Sequence, residues 1–293
     1  VYQLDESQAD PADLNTLYIS RLARENGIKV LLSGAGGDDI FTGYRRHHAL
    51  RLERFWGWAP TSLRRAIRAV SASVSKDSAP GRRLSKAFQY AHLTGDRRIV
   101  GYFQWISPEV LHQLVVRRPT EDPSHFMLDA LNALPSGVPP LNRMLYLDTK
   151  YFLADHNLNY TDKMSMAAGV EVRVPLVDND LAAFAARLPL NFKQNGATGK
   201  WVFKKAMEPF LPADTIYRPK TGFGVPLRLW LRGKHGEILD DYLSEASIKR
   251  RGIFSAAGVR KLIDDDRAGR VDAAYNILAL ACIEIWLRRF VDR

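Results

Sequence analysis

The sequence predicts an α/β fold in which one parallel strand with its helices is followed by a large helical body. Two observations support this prediction. Near the N-terminus, a helical repeat, a short apolar run and a glycine-rich turn follow one another, the order found in α/β sheets. Beyond residue 55, apolar residues recur at helical spacing, and proline and glycine separate the segments. Because an open α/β sheet usually has about five or six strands, one recognisable strand predicts only the edge of such a sheet.

The first unit consists of a helix, a strand and a glycine-rich turn. Residues 14–25 have helical spacing and end before Gly27. Residues 28–32 are apolar and partly β-branched, and glycines bound them, which predicts a buried parallel strand. Residues 33–39 form the turn, and helical spacing resumes at Ile40. The apolar face of the predicted helix consists of Leu14, Leu17, Tyr18 and Leu22.

The rest of the chain is predicted to be helical, without a second buried strand. We divide the chain into the end of an α/β sheet unit (1–55), a helical insertion (56–140) and a helical body (141–293). The predicted helical segments are 62–70, 84–93, 108–116, 124–134, 141–160, 181–188, 200–210, 227–231, 235–243, 255–266 and 273–291.

Composition excludes several classes of protein. The chain has 293 residues, 46% hydrophobic and 25% charged, values that exclude disordered and fibrous proteins. Its single cysteine, Cys282, cannot form an internal disulfide or a CxxC metal site and is expected to pack in a helix. The longest nearly apolar run, 275–287, is too short to span a bilayer and contains Glu284. The N-terminus has no signal-peptide pattern, so we expect a cytoplasmic protein without membrane attachment.

The net charge of +10 has two interpretations. Lysine and arginine (42) outnumber aspartate and glutamate (32), which suits either a nucleic acid or an anionic substrate such as a nucleotide. Between Trp56 and Gly95 the only acid is Asp77. No aromatic residues interleave the basic ones as a stacking platform would require, so a solvated helix face is the simpler interpretation. The basic residues of this stretch are Arg64, Arg65, Arg68, Lys76, Arg82, Arg83 and Lys86.

The turn at 33–39 is a candidate ligand site. Open α/β sheets bind ligands where a glycine-rich turn leaves the carboxyl end of a strand, and the backbone N–H groups there favour anions. Asp38 and Asp39 lie in the first turn of the following helix. Beside a polyphosphate, these carboxylates would require a cation, most simply Mg²⁺. The alternative is that the two acids only complement the helix dipole and need no ligand.

Two later segments carry residues that helical periodicity does not explain. In 162–178, Met164 and Met166 are expected in the core, and Glu171, Arg173 and Asp178 are expected to form an ion network where a helix ends. In 217–226, proline and glycine exclude a helix and hold Arg218 and Lys220 on an irregular loop. A loop lysine can neutralise developing phosphate charge, although a solvated surface lysine is the simpler alternative. The adjacent pair His47 and His48 is expected at the surface.

In this order, the three segments resemble the synthetase domain of glutamine-dependent asparagine synthetases. The first reads Leu32-Ser33-Gly34-Ala35-Gly36-Gly37-Asp38-Asp39-Ile40-Phe41-Thr42-Gly43-Tyr44, the second is 162–178, and the third reads Arg218-Pro219-Lys220-Thr221-Gly222-Phe223. The resemblance runs from about residue 5 to residue 230. It implies part of a parallel-sheet ATP pyrophosphatase domain, like those of the adenine nucleotide hydrolases, with a predominantly helical C-terminal body.

The resemblance also implies an activity and its residues. Members of this family activate a carboxylate with ATP and Mg²⁺ as an acyl-adenylate, which ammonia from glutamine then converts to an amide. By position in the motifs, Ser33 and Gly34 would lie against the adenylate, and Asp38 would reach the Mg²⁺–pyrophosphate. Lys220 would stabilise pyrophosphate and the charged intermediate, and Lys200 would face the phosphates. The implied substrates are ATP, an aspartate-like carboxylate and ammonia.

Departures from the family pattern limit these implications. Ala35 stands where asparagine-forming members usually have Glu, so a sugar acid, a peptide carboxylate or an amide-ring closure is an alternative to aspartate. The S-G-G-x-D-[ST] pyrophosphatase loop is missing, and Val1 stands where a glutaminase domain would have its nucleophilic cysteine. We therefore expect a fragment of a glutaminase-containing parent that is inactive alone. The motifs disfavour a non-catalytic RNA-binding module, and a homodimer stays open.

Overall fold

The computed structural model describes residues 1–74, 78–219, 222–233 and 236–292, and within these residues nineteen α-helices surround two very small sheets. The first helices are α1 (Ala12–Glu25), α2 (Gly37–Ile40), α3 (Arg45–Leu52), α4 (Thr61–Ser73), α5 (Ala79–Phe88), α6 (Gly95–Gly101), α7 (Pro108–Leu114), α8 (His125–Asn132), α9 (Pro140–Leu147) and α10 (Asn159–Ala167). The others are α11 (Asn179–Arg187), α12 (Leu190–Lys193), α13 (Trp201–Met207), α14 (Ala213–Tyr217), α15 (Leu227–Arg232), α16 (Gly236–Tyr242), α17 (Glu245–Arg251), α18 (Ala256–Arg267) and α19 (Ala274–Phe290). The strands are β1 (Val30–Leu32), β2 (Glu171–Arg173), β3 (Gln194–Asn195) and β4 (Thr198–Gly199).

The predicted strand pairs with a second strand that the sequence did not reveal. β1 and β2 run parallel, with Leu31 opposite Val172, and β3 and β4 form a separate antiparallel hairpin. β2 has only three residues and two of them are charged, so no apolar run marks it. Its extended conformation depends on pairing with a strand about 140 residues away, which local periodicity cannot report. Within the described residues the parallel sheet has two strands.

The prediction that β1 is buried is wrong in this structure. Val30 is 41% exposed and Leu32 is 75% exposed, whereas Leu31 on the opposite face is half-buried. On the exposed face, Glu171 and Arg173 of β2 lie beside Val30 and Leu32 and form an ion pair of 2.9 Å. Thus the described helices cover one face of the sheet and leave the other exposed.

Helix α1 lies at its predicted position, but most of its predicted apolar face is exposed instead of packed in the core. Tyr18 and Leu22 are more than 60% exposed, and Leu14 is also exposed. Only Leu17 of the predicted apolar face packs in a core cluster, beside Met164. The helix instead buries a small and partly polar side against α10, consisting of Ala12, Thr16, Ser20 and Ala23.

Most of the predicted helical segments are helical in the structure. The main exception is 141–160, which consists of α9, a π-helical segment (Asp148–Leu158) and the first two residues of α10, a helix that extends past the prediction to Ala167. Helices α6, α12, α14 and α17 were not predicted, because none has more than seven residues and so none shows a helical repeat. Two side-chain expectations also need correction. Met166 is 55% exposed, and Asp178 caps α11 by accepting two backbone N–H bonds instead of joining the Glu171–Arg173 pair.

Two large clusters form most of the hydrophobic core. One lies between α3, α6, α8 and α9, so side chains from all three predicted segments of the chain meet there; it contains Leu50, Ile99, Val100, Phe103, Ala130, Leu131, Met144 and Leu147. The other joins the C-terminal helices to α7, with Leu114, Leu243, Ile248, Val259, Leu262, Ala273, Ile277, Leu280 and Ala281 at its centre. Cys282 on α19 is buried, and burial raises the pKa of its thiol to about 11, which fits a packing role.

The basic stretch is partly structural. Arg64 is 4% exposed and donates hydrogen bonds to the backbone oxygens of Ala91 and Leu93, so it ties α4 to the segment after α5. Arg68 pairs with Glu109 at 2.9 Å. These two arginines are therefore not part of a uniformly solvated face. Among the described residues, no helix is both long and apolar enough to cross a membrane.

A buried carboxylate fixes the last helix to α17. Glu284 is 3% exposed and accepts hydrogen bonds from Ser247, Arg251 and Arg288. Burial alone would raise the pKa of Glu284, but the hydrogen bonds from the two arginines and the serine outweigh it and lower the pKa to about 2. The ionised form is therefore stabilised by folding.

We predict that Glu284 contributes an acid-sensitive part of the stability. Because its pKa is lower in the folded chain than the ordinary value of 4.5, its contribution is complete above about pH 4.5 and is lost as pH falls toward 2. The loss should be at most about 3 kcal/mol. Urea unfolding of the wild type and Glu284→Gln across this range measures it, with the exposed Glu6→Gln as control. Parallel stability curves for the wild type and Glu284→Gln would contradict the prediction.

Candidate nucleotide site

The glycine-rich turn leaves β1 in the predicted manner. Ser33 continues the ladder by donating its backbone N–H to the Arg173 oxygen at 2.8 Å, and its hydroxyl accepts the N–H of Ala35 at 3.2 Å. Gly36 has φ +89, and a Cβ there would lie 2.7 Å from a methyl group of Val177. The turn therefore needs glycine at 36 for both conformation and space. Gly34 is exposed, and no atom lies within 4 Å of where its Cβ would be.

The β3–β4 hairpin docks edge-on against the end of α2. The backbone N–H of Lys200 donates to the Phe41 oxygen at 2.8 Å, and the Thr42 hydroxyl donates to the Lys193 oxygen at 2.9 Å. A Cβ on Gly199 would lie 2.2 Å from the Thr42 oxygen, so only glycine permits this approach. Thr42 and Lys200 both have positive φ, a conformation that costs a non-glycine residue roughly 1–2 kcal/mol. The docking contacts offset that cost.

This docking brings Lys200 to Asp38. Their side chains form an ion pair with a nitrogen–oxygen distance of 2.8 Å, and both are about a quarter exposed at the mouth of the turn. Gly43 leaves room for the Asp38 carboxylate, since a Cβ on Gly43 would overlap it. Two residues that are 162 positions apart in the sequence therefore meet, as the candidate phosphate and cation sites require.

A buried acid lies directly behind this pair. Asp39 is 1% exposed, and the Tyr44 hydroxyl donates to its carboxylate at 3.1 Å. Asn157 donates to the same hydroxyl oxygen at 3.1 Å. Burial, reinforced by the negative charges of Asp148 and Asp38, raises the pKa of Asp39 to about 7, against the lowering effects of Tyr44 and Arg46. Asp39 is therefore poised to be neutral or charged near neutral pH, unlike an ordinary surface carboxylate.

Asp148 anchors the start of α3. It is fully buried and accepts hydrogen bonds from Arg46 at 2.9 Å and from His47 at 2.7 Å. His47 also accepts the Tyr44 backbone N–H on Nδ1, which places its ring hydrogen on Nε2, toward Asp148. The Arg46 guanidinium lies over the ring of Phe152, at 4.3 Å from its centroid. His47 is thus a buried structural residue, and the expectation of a surface histidine pair is wrong for it.

The structure brings together four of the five predicted site residues. Ser33, Gly34, Asp38 and Lys200 lie on the β1 turn or the hairpin docked against it. Lys220 lies outside the described residues. The sequence analysis named Asp39 only as a possible cation ligand or helix-dipole partner and His47 only as a surface residue. It missed that both belong to a hydrogen-bonded layer behind the turn, whose other members are Tyr44, Asp148 and Asn157.

Lys193 is a further residue that sequence reasoning missed. It is 2% exposed at the end of α12, next to the hairpin that carries Lys200. Burial lowers the pKa of its ammonium group to about 8, because a low-dielectric environment disfavours the charged form. A single lysine at the end of a four-residue helix gives no sequence signal of burial.

Comparison with known proteins assigns the family. The sequence profile described as Asparagine synthase matches residues 1–288, nearly the whole chain. The chain belongs to the asparagine synthase family. This family uses ATP, and the motif resemblance found in the sequence is therefore confirmed.

The relatives of this asparagine synthase family chain are much longer. A protein of Mycobacterium tuberculosis named putative asparagine synthetase (glutamine-hydrolysing) is 33% identical over 295 residues, which cover 100% of this chain but 44% of the relative. Asparagine synthetase 1 of Bacillus subtilis is 25% identical, covering 98% of the chain and 44% of the relative. A Penicillium rubens protein named as an amidase is 22% identical, covering 86% and 41%. The chain thus spans less than half the length of these relatives.

The residues around the turn fit a cation that binds together with a phosphate group better than a metal ion held by the protein alone. Among the described residues, no group of three or more His, Cys, Asp or Glu side chains could hold a metal ion. Mg²⁺ in nucleotide sites is usually held by one or two carboxylates together with the phosphate oxygens. Asp38 can supply one such carboxylate, and the Lys200 ammonium group lies 2.8 Å from it.

We predict that Asp148→Asn strongly destabilises the chain. The substitution keeps the shape of the side chain but leaves the Arg46 charge largely buried without its counterion, which should cost about 3–5 kcal/mol. Urea unfolding measures the loss, and hydrogen exchange of residues 33–44 should become faster. Asp129→Asn, at an exposed position, is the matched control. A change below about 1 kcal/mol would show that Asp148 does not anchor this layer.

Proposed function

We propose that the chain is the C-terminal synthetase portion of an ATP-dependent amidotransferase of the asparagine synthetase type. In the proposed reaction, a carboxylate oxygen of the acceptor attacks the α-phosphorus of ATP, the bond to the β-phosphate breaks, and an acyl-adenylate and pyrophosphate form. Ammonia then attacks the acyl carbon, AMP leaves, and the nitrogen loses a proton to give the amide. Aspartate or a related carboxylate is the proposed acceptor.

The observation that carries this proposal is the Asp38–Lys200 pair at the mouth of the β1 turn. The two side chains neutralise each other at 2.8 Å and stay partly exposed. When a polyphosphate with its cation enters, Lys200 can exchange the carboxylate oxygen for a phosphate oxygen, while Asp38 turns to the cation. This exchange keeps both charges compensated throughout. Electrostatic stabilisation by fixed groups is the main requirement of phosphoryl chemistry.

The exposed backbone of the turn is the proposed adenylate-binding surface. Gly34 presents an unobstructed main chain, and the Ser33 hydroxyl is held by the Ala35 N–H on the same turn. A nucleotide can approach such a backbone closely because no side chain projects at Gly34. The proposed role of Lys220 is to stabilise pyrophosphate and the charged intermediate, on the basis of its place in the R-x-K-x-G-F motif.

The ammonia source is proposed to be a glutaminase domain in a longer parent polypeptide. The matched relatives have more than twice the length of the chain, and several are named glutamine-hydrolysing. Mg²⁺ is the proposed cation.

A second acceptor class is supported by Ala35. A Glu at this position would place a carboxylate in the turn, whereas Ala35 is half-buried and offers only a methyl group. Two fungal relatives are named as amidases, which fits chemistry on other carboxylates within the family. The alternative is therefore a sugar acid, a peptide carboxylate or closure of an amide ring. A carboxylate screen that follows pyrophosphate release distinguishes these from aspartate.

A remote alternative is a non-catalytic RNA-binding module that uses the basic stretch. Arg64 and Arg68 are engaged in internal contacts, which reduces the basic surface that RNA could contact. Salt-dependent RNA binding without nucleotide binding would favour this alternative.

We predict that Lys200→Ala and Lys220→Ala impair adenylation in the full-length parent. Removing one fixed cation from the phosphate site should lower carboxylate-dependent ATP–pyrophosphate exchange by about 100-fold or more, without loss of fold. Lys205→Ala is the matched control, since Lys205 on α13 is exposed and pairs with Glu208, just after the end of that helix. Near-normal exchange by either variant would remove that lysine from the site. The 293-residue chain alone should show no exchange.

A further inference from the structure

An aromatic cluster adjoins the loop at 222–226, which follows Lys220 in the sequence. A Cβ on Gly224 of this loop would lie 3.8 Å from the Tyr275 hydroxyl. The Trp105 ring packs edge-on against Tyr275, with centroids 5.4 Å apart, and its centroid lies 6.2 Å from that of His156. The helical insertion, which carries Trp105, therefore meets α19 beside this loop.

His156 connects the aromatic cluster to the hydrogen-bonded layer behind the β1 turn. Its Nδ1 lies 3.0 Å from the side-chain oxygen of Asn157, and Asn157 donates to the Tyr44 hydroxyl at 3.1 Å. The Nε2 of His156 lies 3.2 Å from the Asp10 carboxylate. The cluster is thus continuous with the layer that positions the turn, and it also contacts the loop at 222–226.

Lys86 on α5 lies over the exposed part of this cluster. Its ammonium nitrogen is 5.9 Å from the centroid of Trp105, a residue that is 46% exposed. Lys86 is itself exposed, and within the described ranges no carboxylate lies at ion-pair distance from it. Desolvation lowers the pKa of Lys86, and the charges of Arg46 and Arg228 lower it further, against the raising effect of Asp272. An accessible ammonium group that its neighbours partly desolvate lies in a cleft.

The charges around this cleft are positive in excess. Arg228 donates two hydrogen bonds of 2.7 Å to Asp272, and Arg82 lies 3.8 Å from the same carboxylate. The Arg228 guanidinium also lies over the Tyr275 ring, 5.4 Å from its centroid. One carboxylate is therefore shared by two arginines, and Lys86 adds a further positive charge. Such a cleft favours an anionic ligand, and its aromatic rings favour an apolar part of the same ligand.

We propose that Lys86 and Trp105 form the outer part of the acceptor site and select a carboxylate that carries a second anionic group. We call this site the Lys86–Trp105 cleft; it consists of Lys86, Trp105, His156, Arg228 and Tyr275. The proposal rests on the proposed function, because one carboxylate must lie by the β1 turn for adenylation while the second anionic group pairs with Lys86. Trp105 and His156 separate Lys86 from the layer behind the turn, which favours an acceptor longer than aspartate.

The charge and length of the acceptor test the cleft in the full-length parent. The probes are succinate, adipate and suberate, each compared with the monocarboxylate of equal chain length: butyrate, hexanoate and octanoate. In ATP–pyrophosphate exchange, adipate and suberate should have a lower KM than succinate and than their monocarboxylate counterparts. A KM for succinate below those for adipate and suberate would overturn the proposal.

Substitution of Lys86 makes this test specific. Lys86→Met should raise the KM for adipate and suberate about 10-fold, because a charged contact is lost, and leave the KM for ATP within about twofold. Lys86→Arg keeps the charge and should restore most of the affinity. Arg65→Met is the matched control, at an exposed basic residue of the same insertion on α4. An equal rise in KM for dicarboxylates and monocarboxylates, or no rise, overturns the proposal.

A binding measurement separates failure of the cleft from failure of the proposed function. In the same parent, adipate or suberate should change the fluorescence of Trp105, a signal that Trp105→Phe removes. Lys86→Met should weaken this binding about 10-fold, and hexanoate and octanoate should bind poorly. Lys86-dependent binding without exchange on any probe supports the cleft and contradicts the proposed function. The cleft is refuted if neither dicarboxylate gives a Trp105 signal that depends on Lys86.

Discussion

The arrangement of the site depends on one buried carboxylate, Asp148, which accepts hydrogen bonds from two side chains. Asp148 holds Arg46 and His47 at the start of α3, and His47 in turn fixes the backbone of Tyr44. Tyr44 reaches back to Asp39, the neighbour of Asp38 in the glycine turn. A buried ion pair gives little net stability, but breaking it is costly, so this link fixes geometry more than it adds free energy. The helical body thereby sets where the turn presents its exposed charges.

The sequence was sufficient for features that are local. Helix α1, the extended residues of β1 and the glycine turn follow from spacing, β-branching and glycine content within a window of about 30 residues. Local sequence was also sufficient to make the turn at 33–39, with Asp38, a candidate ligand site. Lys200 and the individual roles of Ser33 and Gly34 came from motif resemblance, because nothing local indicates that Lys200 meets Asp38. That contact requires the hairpin at 194–199 to dock against Thr42, which depends on tertiary packing.

The wrong predictions of which side chains are buried share one physical cause. Periodicity shows that Leu14, Tyr18 and Leu22 form one apolar face, but it cannot show which face of the helix packs against the rest of this chain. Likewise, His47 and Asp148 look like surface residues until each supplies the hydrogen bond that compensates the burial of the other. Polar residues that are buried in pairs have no single-residue signature, so they are found only from coordinates.

The π-helical segment from Asp148 to Leu158 determines which of its side chains lie on the side that faces the candidate site. A π-helix closes its hydrogen bonds five residues apart and has roughly 4.4 residues per turn, so residues spaced by four or five return to the same side. Asp148, Phe152 and Asn157 have this spacing, and all three contact Tyr44 or Arg46. In an α-helix, with about 3.6 residues per turn, positions 148 and 157 would lie half a turn apart. Because the π-helix has more residues per turn, Asp148 and Asn157 lie on the same side of one segment and contribute a carboxylate and an amide to the same layer. A single substitution in an α-helix could not bring these two positions to one side.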